Sequence, residues 1–287
     1  MQIQDIEALS MFDDYQRAQR LAATTIRNRR SILTTLAKRA GSLLELDVFT
    51  LRRVFARDTV TASTMRTERG AIVAFFTFLK EEGLRDDNPA LKLPAVQVAK
   101  GEPRPFTREQ IDAMLNSGCY RRTRAMILVG YYQGFRVSSI ARVHGHDVDR
   151  LTSTIRTVGK GQKERRLPLH PVVAELSESM PKDGYWFPAR KNPATHVHPS
   201  SVTDLITKAK LRAGILDPRL TPHSLRHAFG TDLVEAEVDI RVVQELMMHE
   251  SLSTTQIYTG VSERRKQEGI VSLLPRPIPI RSGRRVA

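Results

Sequence analysis

The sequence predicts a mainly α-helical protein with a small β-sheet, divided into two domains. Three observations carry this reading. Residues 2 to about 94 repeat apolar side chains at helical spacing and end their runs at glycine. Residues 95–105, AVQVAKGEPRP, have the Gly and Pro content of an exposed linker. One β-branched alternating run, 153–158, leads into a glycine-rich turn. A chain of 287 residues suffices for two ordinary domains that each bury a core. The expected division is 1–94 for a helical domain, 95–105 for the linker, 106–270 for a second domain and 271–287 for a tail.

In the first domain, Ile3, Ile6, Leu9 and Phe12 mark an opening helix, and Ile26, Leu33, Leu36, Ala37 and Ala40 a second that stops at Gly41. A short third helix covers about Thr50 to Ala56, with Leu51, Val54 and Phe55 on its apolar side. The fourth runs from about Ser63 to Glu82, where Phe75, Phe76, Phe78 and Leu79 crowd its second half and Gly83 ends it. The polar faces carry Arg27, Arg29, Arg30, Lys38 and Arg39 on one helix and Arg66 and Arg69 on another.

The second domain opens with a T-x-x-Q capping box, Thr107 to Gln110. A helix from about Arg121 to Gln133 stops at Gly134. Ser153 to Val158 and Arg165 to Leu169, joined by G-K-G-Q-K-E, form a hairpin whose glycines permit positive φ. Pro171 to Met180 and about Ser200 to Ala213 read as helices, the latter closed by Gly214. From Thr221, Thr221 as N-cap and Pro222 at the first helical position put His223 and Arg226 at i and i+3, where both can reach one ligand. Asp239 caps a further helix bearing Ile240, Val243, Leu246 and Met247, with His249 at its end. Ser253 and Gln256 cap a third, which holds Tyr258 about a turn and a half in. The tail, VSLLPRPIPIRSGRRVA, mixes Leu, Ile and Pro with basic residues.

Lys and Arg outnumber Asp and Glu by 45 to 31, a net charge of +14, so a polyanion is the expected partner: nucleic acid first, an acidic membrane surface second. The excess is uneven. Up to Ala95 there are 15 basic and 12 acidic residues, and beyond it 30 and 19. A single cysteine, Cys119, rules out an internal disulfide framework and suits a reducing cytosol. No run has the length of a membrane span and the N-terminus lacks a signal-peptide pattern, so a soluble cytoplasmic protein without membrane association is expected. The pairs His144/His146 and His196/His198 lack a third ligand at useful spacing, and no metal or cofactor is expected.

One Arg and two His close to a tyrosine are what breaking a DNA phosphodiester without metal needs. A free tyrosine is phenolate in only roughly one copy in a thousand at pH 7, so a nucleophilic Tyr258 requires cationic or hydrogen-bonding neighbours. Any one of these residues alone is ordinary on a helix face. Together, H-S-L-R at 223–226 and H-E-S-L-S-T-T-Q-I-Y at 249–258 resemble the C-terminal signature of the tyrosine recombinases, the family of phage integrases and Xer-type resolvases. Gly134 to Ser138 resembles the family's G-x-R-x-S box, and Val158 to Arg165 its V-G-K-G-x-K-x-R turn. The close of the first domain, with Asn88-Pro89-Ala90 and Pro94, resembles the family's core-binding domain.

The resemblance implies a two-domain recombinase architecture: a helical core-binding domain and an α+β catalytic domain. Arg136, Lys160, His223, Arg226, His249 and Tyr258 are its implied catalytic residues, with Lys163 as the alternative turn lysine. Arg27, Arg29, Arg30, Lys38, Arg66, Arg69, Lys163 and Arg165 are candidate DNA contacts. It also implies a double-stranded core-type attachment site as substrate, a homotetramer in the synaptic complex and an accessory directionality factor. Integration or excision of a phage or mobile element comes first, Xer-like dimer resolution second and a type IB topoisomerase third; a DNA-binding protein that kept the fold without catalysis is the reading from another class. The chain begins almost directly at the core-binding helices, which leaves no room for the separate arm-binding domain of larger integrases. Three positions depart from the pattern: Ser139 replaces an acidic residue, Met248 the glycine before the second histidine and Glu237 the glycine of a G-x-D turn. All three read as scaffold positions that bear on helix-end geometry more than on the chemistry, since left-handed backbone disfavours a side chain.

Overall fold

The computed structural model describes residues 2–98, 104–159 and 164–248, and the chain divides into two compact units, 1–101 and 102–287.

The first unit contains α1 (Ile3–Ala18), α2 (Ala23–Ala40), α3 (Val48–Phe55), α4 (Ala62–Glu81) and a 3-10 turn, Pro89–Lys92. Asp47 accepts from the Thr50 amide and so starts α3 at Val48, two residues before the expected Thr50, and Thr61 caps α4 in the same way through the Thr64 amide. Gly41 ends α2 at φ 92°, a conformation that favours glycine. Leu9, Phe12, Leu33, Leu51, Phe75, Phe76 and Phe78 fill the core, with the Phe12 and Phe75 rings edge to face at 5.4 Å. Asn88 ties the final turn to α4 by donating to the Thr77 hydroxyl at 2.9 Å.

The opening helix exists, but its buried stripe differs from the expected one. Ile3 and Ile6 are 76% and 45% exposed, while Asp5, Ala8, Leu9, Phe12, Asp13 and Gln16 face inward. The reason is polar: the Asp5 carboxylate accepts from the Leu43 amide at 2.8 Å and from the Ser42 hydroxyl at 3.3 Å. The buried Leu43 amide needs an acceptor, and the helix face that supplies it from Asp5 leaves Ile3 and Ile6 toward water.

The second unit contains α5 (Arg108–Leu115), α6 (Arg121–Tyr132), α7 (Val137–Arg142), β1 (Val148–Asp149), β2 (Thr154–Val158), β3 (Glu164–Pro168), α8 (Pro171–Glu178), α9 (Pro199–Arg212), α10 (His223–Glu235) and α11 (Ile240–Leu246). The reciprocal Thr107–Gln110 capping box forms as the sequence predicts. The three strands form one antiparallel sheet in the order β1-β2-β3. Two residues are too few to show a period, which is why β1 goes unread in the sequence. Met126, Ile127, Val129, Ile140, Ile155, Phe187, Val202, Ile206 and Leu225 lie in the core between helices and sheet.

Much of the basic excess has internal work. Arg121 donates to Ser179 O at 3.1 Å, Arg122 to Pro188 O at 2.8 Å and Arg124 to Leu115 O at 2.9 Å. Buried Lys210 holds the carbonyls of Asp217 (2.9 Å) and Leu220 (3.0 Å). In the first unit Arg52, Arg69 and Arg85 grip the carbonyls of Lys92, Leu93 and Leu44. Several of these acceptors close helices, whose last carbonyls have no intrahelical donor. Among the described residues no helix is long and apolar enough to cross a membrane.

Candidate active site

Helix α10 is the frame. Its start differs from expectation: Thr221 does not cap it with its side chain, and instead the Ser224 hydroxyl reaches back to accept from the Thr221 amide at 3.1 Å. His223 and Arg226 still lie at i and i+3. Leu225 and Ala228 anchor the helix in the core, against α6, where a Cβ on Gly130 would stand 3.1 Å from Leu225 Cδ1. At its far end Asp232 accepts from the Tyr131 hydroxyl and from Arg108 Nε (3.1 Å), which joins α10 to α6 and α5. Burial and this carboxylate push the Tyr131 phenol up.

Arg226 is 4% exposed. One terminal nitrogen donates to the Gly134 carbonyl and the other to the Met247 carbonyl. The side chain therefore links the glycine that ends α6 with the residue that ends α11, two places distant in sequence from α10. Gly134 has φ 60°, and a Cβ there would meet the Phe229 ring at 2.4 Å. Two residues on, Arg136 stands half-buried at the N-cap of α7, where its side chain caps nothing.

Partial desolvation, then the Arg226 and Arg136 guanidiniums, hold the His223 pKa below the ordinary imidazole value. By surface area His223 is exposed, so solvent moderates both the desolvation and the pull of the arginines. The direction of the shift favours the neutral ring, the form able to accept a proton. Among the predicted catalytic residues, the structure thus brings Arg136, His223 and Arg226 into one electrostatic neighbourhood. His227 joins them, a residue the sequence reading missed: burial, then His223 and Arg226, lower its pKa. The signal was present as a second histidine one helical turn after the first, H-S-L-R-H. Lys160, Lys163, His249 and Tyr258 lie outside the described residues.

Strand pairing reaches Val158↔Glu164. Arg165 is exposed and pairs with Thr157, on the sheet face shared by Ile155 and Leu167. Arg156 and Arg166 oppose each other on the other face, where Asp147 (2.9 Å) and Glu164 (2.8 Å) neutralise the first and Asp149 (3.8 Å) the second. In the first unit, Arg27, Lys38 and Arg66 are exposed. Arg29 donates to Gln16 Oε1 at 3.1 Å, Arg30 binds Asp13 and Leu9 O, and Arg69 holds Leu93 O. The histidine pairs serve local structure: His144 accepts from the His146 amide, His146 meets Asp183 at 2.6 Å, and the His198 ring caps α9. Among the described residues no three His, Cys, Asp or Glu side chains are grouped to hold a metal.

Burial also lowers the pKa of His170, so three histidines bind protons more readily in the unfolded chain than in the folded one. Stability should therefore fall as pH drops through the unfolded imidazole value of about 6.5 and level off below the folded values. The carboxylates held low, Asp47, Glu109, Asp149 and Asp217, contribute only nearer pH 4. Thermal unfolding between about pH 7.5 and 5.5 should show a falling Tm, flattened when His170, His223 and His227 are replaced by glutamine; equal slopes would contradict the assignment.

The chain belongs to the phage integrase family, whose sequence profile matches residues 104–265. Within that family it is a tyrosine site-specific recombinase. It is 34% identical to the tyrosine recombinase XerD of Halalkalibacterium halodurans over 219 residues, 72% of this chain and 73% of that one. To the tyrosine recombinase XerC of Corynebacterium efficiens it is 29% identical, over 96% and 93% of the two chains. Its fold is shared by lambda integrase residues 75–356, solved as a dimer bound to a COC' core site, with TM-score 0.72 at 14% identity over 86% of this chain and 96% of that one.

Proposed function

We propose that the chain cuts and rejoins double-stranded DNA at a core-type attachment site through Tyr258. The phenolic oxygen attacks the scissile phosphorus, a 3′-phosphotyrosyl bond forms, and the bond to the 5′-oxygen breaks. Lys160 delivers the proton that leaves with the 5′-hydroxyl, and Lys163 is the alternative donor. One phosphodiester is exchanged for another, so religation to a partner strand needs no ATP or metal. Arg136 and Arg226 hold the non-bridging oxygens as charge develops on them. Neutral His223 suits acceptance of the tyrosine proton, and His249 supports the phosphate. The observation that carries this reading is the buried Arg226 joining Gly134 O to Met247 O, with Arg136 and His223 in the same field.

In this proposal four copies act on two duplexes in the bacterial cytoplasm, with an accessory factor setting direction. The role is integration or excision of a phage or mobile element. The Xer names of its relatives favour dimer resolution as the second role. Arg27, Lys38, Arg66 and Arg165, exposed as they are, suit phosphate contacts best; Arg29, Arg30 and Arg69 would bring theirs from positions braced within the unit.

The test is a nicked suicide duplex incubated with the full chain in EDTA. A covalent adduct whose phosphopeptide maps to Tyr258 is expected. Duplex binding with no adduct would replace the proposal with a DNA-binding protein, and an adduct only with added divalent cation would return the histidine pairs to consideration.

A further inference from the structure

Between α2 and α4 the first unit has a cleft of about 540 Å³, lined by Thr24, Asn28 and Arg29 from one helix and Arg66, Thr67 and Gly70 from the other, among others, with no carboxylate among them. Two of these residues lack an internal reason to be what they are. Gly70 lies within α4, is exposed, and has no positive φ; a Cβ added to it would meet nothing within 4 Å. Glycine inside a helix weakens it relative to alanine, and here neither packing nor backbone geometry asks for the missing methyl. Asn28, one turn beyond Thr24 on α2, makes no hydrogen bond with another described residue, so its amide has both a donor and an acceptor to offer.

We propose that this cleft reads base edges in the major groove of the target duplex, with Asn28 as the specificity-determining side chain and Gly70 leaving room for the close approach of the DNA. The proposal rests on the recombinase reading above and deepens it. The chemistry of the lining selects the occupant. An asparagine amide matches the N7 acceptor and N6 donor of adenine in a bidentate pair, threonine methyls and hydroxyls meet thymine methyls and neighbouring acceptors, and the major groove admits an α-helix. Arg66, exposed on the same lining and without an internal partner, adds phosphate attraction. Gly70 is then a site where helix stability is given up for access.

The experiment is selection of duplexes from a randomised pool by the full wild-type chain, followed by binding and thermal unfolding of two variants. Gly70→Ala should raise Tm by a few degrees, because alanine suits the helix and fills empty space. The same variant should bind the selected duplex at least tenfold more weakly. Asn28→Ala should leave binding to unselected duplex unchanged and lose about tenfold or more of its discrimination at one base pair, an adenine in the wild-type selection. A Gly70→Ala chain with raised Tm and unchanged affinity, together with an Asn28→Ala chain that recovers the wild-type sequence, would overturn the cleft assignment while covalent trapping at Tyr258 still stands. A wild-type chain that recovers no preferred sequence and traps no DNA would overturn the recombinase reading and the cleft with it.

Discussion

Arg226→Lys is expected to reduce covalent adduct formation on the order of 10³-fold and to cost the second unit about 2–5 kcal/mol. The two losses have one origin. The guanidinium reaches Gly134 O and Met247 O from separate nitrogens held in one plane, and an ammonium is a single point that cannot span both carbonyls. At 4% exposure, water cannot replace the missing donor, so at least one buried carbonyl stays unsatisfied. The proposed phosphate clamp should fail as well, since lysine cannot present two parallel N–H groups to two oxygens. Denaturant unfolding and suicide-substrate trapping measure the two halves. Activity within tenfold of wild type would mean that Arg226 is purely a brace and that Arg136 alone carries the charge.

Gly134→Ala should be nearly as damaging, at about 2–5 kcal/mol. A methyl at φ 60° is strained in any surroundings, and this one would enter the Phe229 ring at 2.4 Å from Cδ1 and 2.7 Å from Cε1. The ring or the turn must move, and the turn carries the carbonyl that Arg226 holds and, two residues on, Arg136. Phe229→Leu combined with Gly134→Ala should recover the steric part of the loss and leave the backbone part. If the double variant is no better than Gly134→Ala alone, the ring is not the obstacle.

These two residues also show what could be read from the chain before its structure. Spacing alone put His223 and Arg226 on one helix face, and the stop at Gly134 followed from the end of an apolar run. That Arg226 would hold both Gly134 O and Met247 O had no sequence signal, because the contact joins positions 92 and 21 residues apart. The capping box at Thr107, the cap at Asp239 and the helix ends at Gly41 and Gly214 were legible because caps are local chemistry. Thr221 was misread for a related reason: Ser224, three residues on, could cap in the reverse direction, and composition does not choose between them. Ile3 and Ile6 were misplaced because hydrophobic periodicity cannot see the amide of Leu43 that needs Asp5. The departures at Glu237 and Met248 keep the left-handed backbone of the glycines they replace, at φ 61° and 49°. The chain accepts the strain and preserves the path.

The arginine and lysine grips on backbone carbonyls divide the protein's +14 into two kinds of cation. Arg121, Arg122, Arg124 and Lys210 hold neutral acceptors at 2.8 to 3.1 Å, and a hydrogen bond to a neutral carbonyl has no opposite charge for dissolved ions to screen. Arg27, Lys38 and Arg66 face water, where their attraction for a polyanion decays within a Debye length of about 3 Å at 1 M salt. Ionic strength therefore acts on this molecule selectively: a concentrated salt solution weakens the pull of Arg27, Lys38 and Arg66 on a polyanion, while the cations bound to carbonyls keep their hold. A chain so basic can be stripped of its ligand without being loosened itself.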